Sequence, residues 1–162
     1  MSVSVQDHQD IFKQVEEGLS PEDLRSARRS AVQFAYAADF AQTSLFSDRD
    51  FEAFVAQVEL SSRVKRFVFT LSRLVVERRE EVDRHIESCA HNWKISRIAK
   101  VDLAILRVCT CELMFRKQVA SEIVLADAAE IGKEIGSGGT SAFVNGVLDG
   151  VAKRVRAGGK SH

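Results

Sequence analysis

Residues 101–115 read VDLAILRVCTCELMF. Wound at 3.6 residues per turn they are apolar on almost every side, and a helix without a polar stripe has to be buried. Other helices must therefore surround it. Four residues interrupt the apolar surface, Asp102, Arg107, Thr110 and Glu112, so this central helix has to accommodate charge.

Downstream, Ile123, Val124, Leu125, Ala128, Ala129 and Ile131 recur at helical spacing, predicting a helix over about 121–135 that stops at Gly136-Ser137-Gly138-Gly139. That glycine cluster follows a helix rather than a strand and lacks the lysine-serine ending of a phosphate loop, so it reads as a helix stop. Thr140 or Ser141 then caps a last helix carrying Phe143, Val144, Val147, Leu148, Val151 and Val155. Gly146 and Gly150, four apart, remove side chains from one face and would let another helix approach closely. Residues 158–162 form a tail, with fraying expected from residue 157.

Upstream, His91-Asn92-Trp93 marks a corner, with the only tryptophan expected to anchor the core. Before it, Val64, Phe67, Val68, Leu71, Leu74, Val75, Val82, Ile86 and Cys89 keep three-or-four spacing. That is one long helix or two in succession, with residues 77–81 the place for a break. Ser47-Asp48-Arg49-Asp50 starts a short helix. Ser20-Pro21-Glu22-Asp23 starts a longer one running to about residue 41, since serine caps, proline suits the first helical position and acids favour the positive end of the dipole. Residues 1–20, with Ile11, Phe12 and Val15, read as a weak helix or mobile arm.

One proline in 162 residues and apolar spacing of three and four throughout give an all-α chain. Its 23 basic and 23 acidic side chains cancel, so binding to nucleic acid requires a local patch rather than a whole-molecule field. No signal peptide or membrane span is read from the sequence, and three cysteines without framework spacing fit a reducing cytoplasm. Cys109 and Cys111, two apart on a helix, point to different sides. His85 and Cys89 could be half of a metal site, but no second half has ligand spacing. No nucleophile with a base and no paired carboxylates stand out, so the sequence assigns no catalytic residue, metal or cofactor.

The local patch lies on the 21–41 helix, where Arg25, Arg28, Arg29, Val32 and Tyr36 share a face of roughly 120°. Guanidinium groups with a ring one or two turns on suit a phosphate backbone and its bases. A solvated helix face is the alternative reading of the same residues.

Arg28 with Ala31-Val32-Gln33 and Tyr36, Trp93 through Arg97-Ile98, Val101-Asp102 with Ile105-Leu106-Arg107, Glu112-Leu113, and Phe143-Val144-Asn145-Gly146-Val147-Leu148-Asp149 together resemble the NusB transcription antitermination factors over about residues 25–156. The resemblance implies an all-α bundle of two small helical subdomains sharing a core, about 21–90 and 91–157. It implies a non-catalytic protein that binds boxA of nascent ribosomal RNA with NusE, a small-subunit ribosomal protein, in an antitermination complex on RNA polymerase. By the resemblance RNA contacts would fall on Arg25, Arg28 and Phe143, to which the shared helix face adds Arg29, and NusE contacts on Tyr36 and Asp102. Arg107, Trp93, Gly146 and Asp149 would be structural, with Asp149 or helix carbonyls partnering Arg107. Ala142 stands where a basic residue is usual, Arg29 where an acid is common, and Ala120 where a proline is expected. Those departures, with the zero net charge, keep open a homodimer or docking unit without RNA on the same scaffold.

Overall fold

Serine hydroxyls open the first helices. Ser4 accepts from the Asp7 amide, Ser20 from Asp23, Ser47 from Asp50 and Ser61 from Val64. Each satisfies a backbone donor that the helix itself leaves unpaired. The computed structural model describes residues 4–41, 45–91 and 93–160. Among these lie α1 (Val5–Glu16), α2 (Pro21–Ala41), α3 (Asp48–Val55), α4 (Ser62–Glu77), α5 (Arg79–Cys89), α6 (Lys100–Phe115), α7 (Ser121–Ile135) and α8 (Thr140–Lys160). The described residues form no strand, and no described helix is long and apolar enough to cross a membrane.

The apolar run of 64–89 breaks at Arg78, whose φ of −110° and ψ of 21° leave helical geometry and separate α4 from α5. Helix α6 runs through the centre. Every residue from Leu103 to Phe115 is buried, and α1, α2, α4, α5, α7 and α8 all pack on it. Helix α1 docks on α4 and α6 through Phe12 and Val15, with Phe12 meeting Phe67 at 5.7 Å between ring centroids. Helix α8 continues to Lys160; residues 161 and 162 of the expected tail, and Asn92 of the expected corner, lie outside the described residues.

The charges on α6 are answered by name. Glu112, fully buried, accepts two hydrogen bonds from Arg28, Nε to Oε1 and Nη2 to Oε2, both at 2.8 Å. Arg28 also donates Nη1 to Asp127 on α7 at 2.6 Å, and Arg116 closes on Glu112 at 2.6 Å and on Glu16 of α1. Burial lowers the Arg28 pKa, but Glu112 first and Asp127 after it outweigh that and raise it, so the guanidinium stays charged. Arg107 donates to Asp83 on α5 through Nε and Nη2 and to Asp39 on α2 through Nη1, all at 2.9 Å. Its expected partner Asp149 instead sits on the surface with Lys153 at 2.9 Å, because α8 turns that position outward. Thr110 is fully buried, and its hydroxyl finds no partner among the described residues.

Gly150 meets the expectation of close approach: a Cβ there would lie 3.2 Å from the Cβ of Cys89 on α5. Gly146 does not, since a Cβ there would meet nothing within 4 Å and the residue is exposed. The two are 400° apart on the wheel, which turns Gly146 40° away from the line on which Gly150 meets α5.

Removing Arg28 would leave buried Glu112 with Arg116 alone and buried Asp127 with the exposed Arg25 alone. Arg28→Ala should cost about 3–5 kcal/mol of stability in urea unfolding, whereas Arg25→Ala, at the exposed rim of the same cluster, should cost less than about 1 kcal/mol.

Candidate nucleic-acid and partner interface

One end of the bundle collects Asp102, Phe143, Trp93 and Arg107 among the residues singled out in the sequence, and contacts link them in steps. At the C-terminal end of α2, Asp39 takes Lys100 at 2.9 Å as well as Arg107. Burial raises the Asp39 pKa, but the hydrogen bonds of Lys100 and Arg107 and their charge overcome it and hold the carboxyl below its ordinary value. Lys100 begins α6, and Asp102 in the first turn of that helix accepts the Thr140 hydroxyl at 2.7 Å. Thr140 begins α8, where Phe143 lies one turn on. Phe143 meets Trp93 with ring centroids 6.2 Å apart and planes at 73°.

The start of α8 is bolted down. Thr140 Oγ1 accepts the Ser137 amide at 2.9 Å while donating to Asp102, and Ser141 donates to the Ala129 carbonyl at 2.7 Å. Gly136 is required by this closeness, because a Cβ there would fall 2.5 Å from Thr140 Oγ1. Gly138 and Gly139, by contrast, face open space. The amides of Ser141 and Ala142 at the positive end of α8 thus stand beside an uncrowded loop, a setting that favours an anion.

The arginine face expected on α2 divides. Arg28 is fully buried with Val32, and its donors are committed to Glu112 and Asp127, so it has nothing to offer a phosphate. The wheel grouped them correctly by angle, but a 120° arc is wide enough to span the contact line with α6 and α7. Arg25 and Arg29 stay outside, with side chains 58% and 49% exposed. Each is tethered to α7, Arg25 to Asp127 at 3.1 Å and Arg29 to Glu134 at 3.0 Å. Tyr36 is exposed and meets the more exposed Phe40 edge-on at 4.8 Å. Phe40 and Glu134 were not read from the sequence, and Thr140 was read only as a possible cap; Phe40 follows Tyr36 at i, i+4 and was legible as a surface pair.

Asp102 is half-buried, and one of its oxygens is spent inside the fold on Thr140. Its other oxygen takes no protein partner among the described residues. Trp93 corrects the expectation of a core anchor: it is 50% exposed. Ala90, buried at the end of α5, accepts the Trp93 amide at 2.9 Å, while Trp93 and Lys94 stay exposed before Ile95 packs against the core and Ile98 is buried. His85 and Cys89 form no metal site: His85 Nδ1 receives Arg154 Nε at 3.3 Å, and no group of three His, Cys, Asp or Glu side chains able to hold a metal is found among the described residues. Burial drives the thiols of Cys109 and Cys111 far above their usual pKa, which leaves them unreactive.

A sequence model of the NusB family matches residues 25–153. The chain is similar to the transcription antitermination protein NusB of Trichlorobacter lovleyi, 40% identical over 126 residues that cover 77% of this chain and 87% of that protein. It is also similar to the protein of the same description from Geobacter sulfurreducens, 35% identical over 79% of this chain and 92% of that one. Among solved structures, T. maritima NusB superposes with a TM-score of 0.70 at 26% identity, covering 80% of this chain and 89% of that one. A chain from a crystal structure of the antitermination factors NusB and NusE in complex with dsRNA superposes with a TM-score of 0.73 at 25% identity, covering 82% and 98%.

The Asp102–Thr140 bond ties the starts of two helices together. Thr140→Val should lose about 1–3 kcal/mol in urea unfolding by orphaning Asp102 and the Ser137 amide, and Thr140→Ser, which keeps the hydroxyl, should recover most of it.

Proposed function

The chain belongs to the NusB family, and from that premise we propose that it is a transcription antitermination factor that binds boxA of nascent ribosomal RNA together with the ribosomal protein NusE and joins the antitermination complex on RNA polymerase. The observation that carries the reading is that α2 keeps Arg25 and Arg29 exposed along with Tyr36, while Phe143 stands at the uncrowded start of α8. In a chain of zero net charge, exposed arginines and rings of this kind supply the local patch that RNA binding requires.

The roles divide by chemistry. Arg25 and Arg29 lie along one rim and reach phosphates as forked donors. Phe143, at the start of α8, offers a ring beside the amides of that helix. Tyr36 with Phe40 offers NusE an apolar step, and the remaining oxygen of Asp102 offers it an acceptor. Arg28 belongs to none of these surfaces; it holds α2 in the orientation that presents them. The same aromatic step would serve a homodimer equally well, so the oligomeric state in the presence of RNA separates the two uses.

Internal acids set the strength of RNA binding, because Asp127 and Glu134 compete with phosphate for Arg25 and Arg29. Arg25→Ala and Arg29→Ala should each weaken binding of boxA-containing RNA and flatten the dependence of log K on log salt by about one unit, while Glu134→Gln, which releases Arg29, should tighten it. Anisotropy titrations at stepped salt check this, and unchanged slopes would remove both arginines from the interface.

Tyr36→Ala should weaken association with NusE by about tenfold or more, the loss of a central aromatic anchor, and leave RNA binding by the chain alone unaltered. Calorimetric titration with NusE reads the first, and the same anisotropy assay the second.

A further inference from the structure

We propose that Trp93 is a base-stacking residue. With Phe143 it forms an aromatic corner that takes an unpaired base of single-stranded RNA, and Lys94 and Arg97 hold the flanking phosphates. The proposal rests on the RNA-binding reading above and extends it to a segment, the connection between α5 and α6, that no feature of that reading uses.

Four observations converge on this corner. The first is exposure: Trp93 is half in solvent, although indole is among the side chains that gain most from burial, and an exposed tryptophan on a defined surface is how proteins offer a ring to a ligand. The second is geometry. Trp93 and Phe143 meet edge to face, 73° between planes, an arrangement that leaves an open ring face at the corner instead of closing the two rings on each other.

The third is charge. Lys94 and Arg97 are both exposed, and neither has an acid partner among the described residues, in contrast to the tethered Arg25, Arg29 and Lys100. Unpaired cations beside exposed rings are the combination that binds single strands, stacking for the bases and cations for the backbone. The fourth is rigidity. The Trp93 amide bonds to Ala90, Arg97 closes a 3-10 turn over Ile95–Arg97 by bonding to Lys94 at 2.9 Å, and Ala90 and Ile98 are buried on either side. The ring is therefore presented on a held corner, and stacking costs little ordering.

A duplex does not fit this chemistry. Its bases already stack on each other, whereas a single strand can turn one base out onto an aromatic face. The corner also lies beside the open Gly138-Gly139 loop and the start of α8, so a strand lying over Phe143 is carried onto Trp93.

The chain has one tryptophan, so its fluorescence reports this site directly. The test titrates the full chain, alone and with saturating NusE, with a single-stranded boxA-containing RNA, following tryptophan emission and RNA anisotropy together. The Trp93→Phe chain supplies the background from NusE. The proposal expects emission to be quenched with the same midpoint as the anisotropy rise, and a duplex of the same sequence to quench less. Trp93→Leu should bind roughly 10- to 100-fold more weakly, in the range of one lost base stack, and Trp93→Phe should retain most of the affinity. Lys94→Ala and Arg97→Ala should each flatten the salt dependence by about one unit while leaving the quench at saturation intact. Matching unfolding midpoints for wild type and Trp93→Phe establish that the fold is kept.

RNA binding by anisotropy without a quench, or equal affinity of Trp93→Leu and wild type, overturns the stacking role and leaves the RNA-binding reading standing. A quench produced by NusE without RNA overturns it in favour of a protein contact. No anisotropy change with or without NusE overturns both.

Discussion

Two guanidinium groups and two carboxylates sealed inside the bundle constrain everything around them. Arg28 of α2, Glu112 of α6, Arg116 just past its end and Asp127 of α7 sum to zero charge and lie almost wholly out of water. Desolvating four ions is costly, and their mutual attraction compensates only if the geometry holds at every contact. Apolar side chains can slide past one another with small loss. A forked pair at 2.8 Å on both arms cannot. The cluster therefore does for α2, α6 and α7 what hydrophobic burial does not: it selects one rotation and one axial register. Glu16 extends the lock to α1 through Arg116, adding an ion pair to the docking that Phe12 and Val15 provide.

A second ionic lock, built on the same helix about one and a half turns away, adds α5. Arg107 ties Asp83 of α5 and Asp39 of α2, and Asp39 reaches on to Lys100. Helix α6 thus carries one lock at its middle and one towards its C-terminal end, and α2 takes part in both. With two points fixed along its length, α2 has no freedom to roll, and the exposed line of Arg25, Arg29 and Tyr36 is fixed in space as a consequence. The surface that meets a partner is set from inside the core.

Helix positions were legible in the sequence for local reasons. Ser20 before Pro21, Ser47 before Asp48 and Ser61 before Ser62 each satisfy a backbone donor within three residues, and the all-round apolar character of 101–115 allows no outcome but burial. What was not legible depends on which edge of a helix meets which neighbour. Arg28 and Arg25 are 300° apart on the wheel, only 60° by the shorter way, and that difference separates an enclosed ion from an exposed one. The signal for Arg28 was in α6: Glu112, buried by its surroundings, required buried cations, and Arg116, four residues on, supplies only one of them. Arg107 was expected inside with Asp149 or helix carbonyls as its partner, whereas Asp83 and Asp39, 24 and 68 residues away, hold it. Trp93 misled because composition speaks for burial, while its polar neighbours His91 and Lys94 spoke for a projecting turn.

The distribution of paired and unpaired cations decides how a neutral chain can still meet a polyanion. Arginines with an acid within 3.1 Å, as Arg25 and Arg29 have, offer phosphate an exchange of partners and gain only the difference. Cations with no acid beside them gain the full contact, and counterions released from the RNA drive both. A surface that mixes the two kinds binds a long strand weakly everywhere and more strongly where an aromatic ring can also engage a base. Selectivity for a particular single-stranded element then arises from where the rings stand relative to the cations, and that spacing is held by the helix starts at Lys100 and Thr140, which Asp102 joins. The carboxylate in the first turn of the central helix thus acts on the interface first as a brace, and only through its remaining oxygen as a contact.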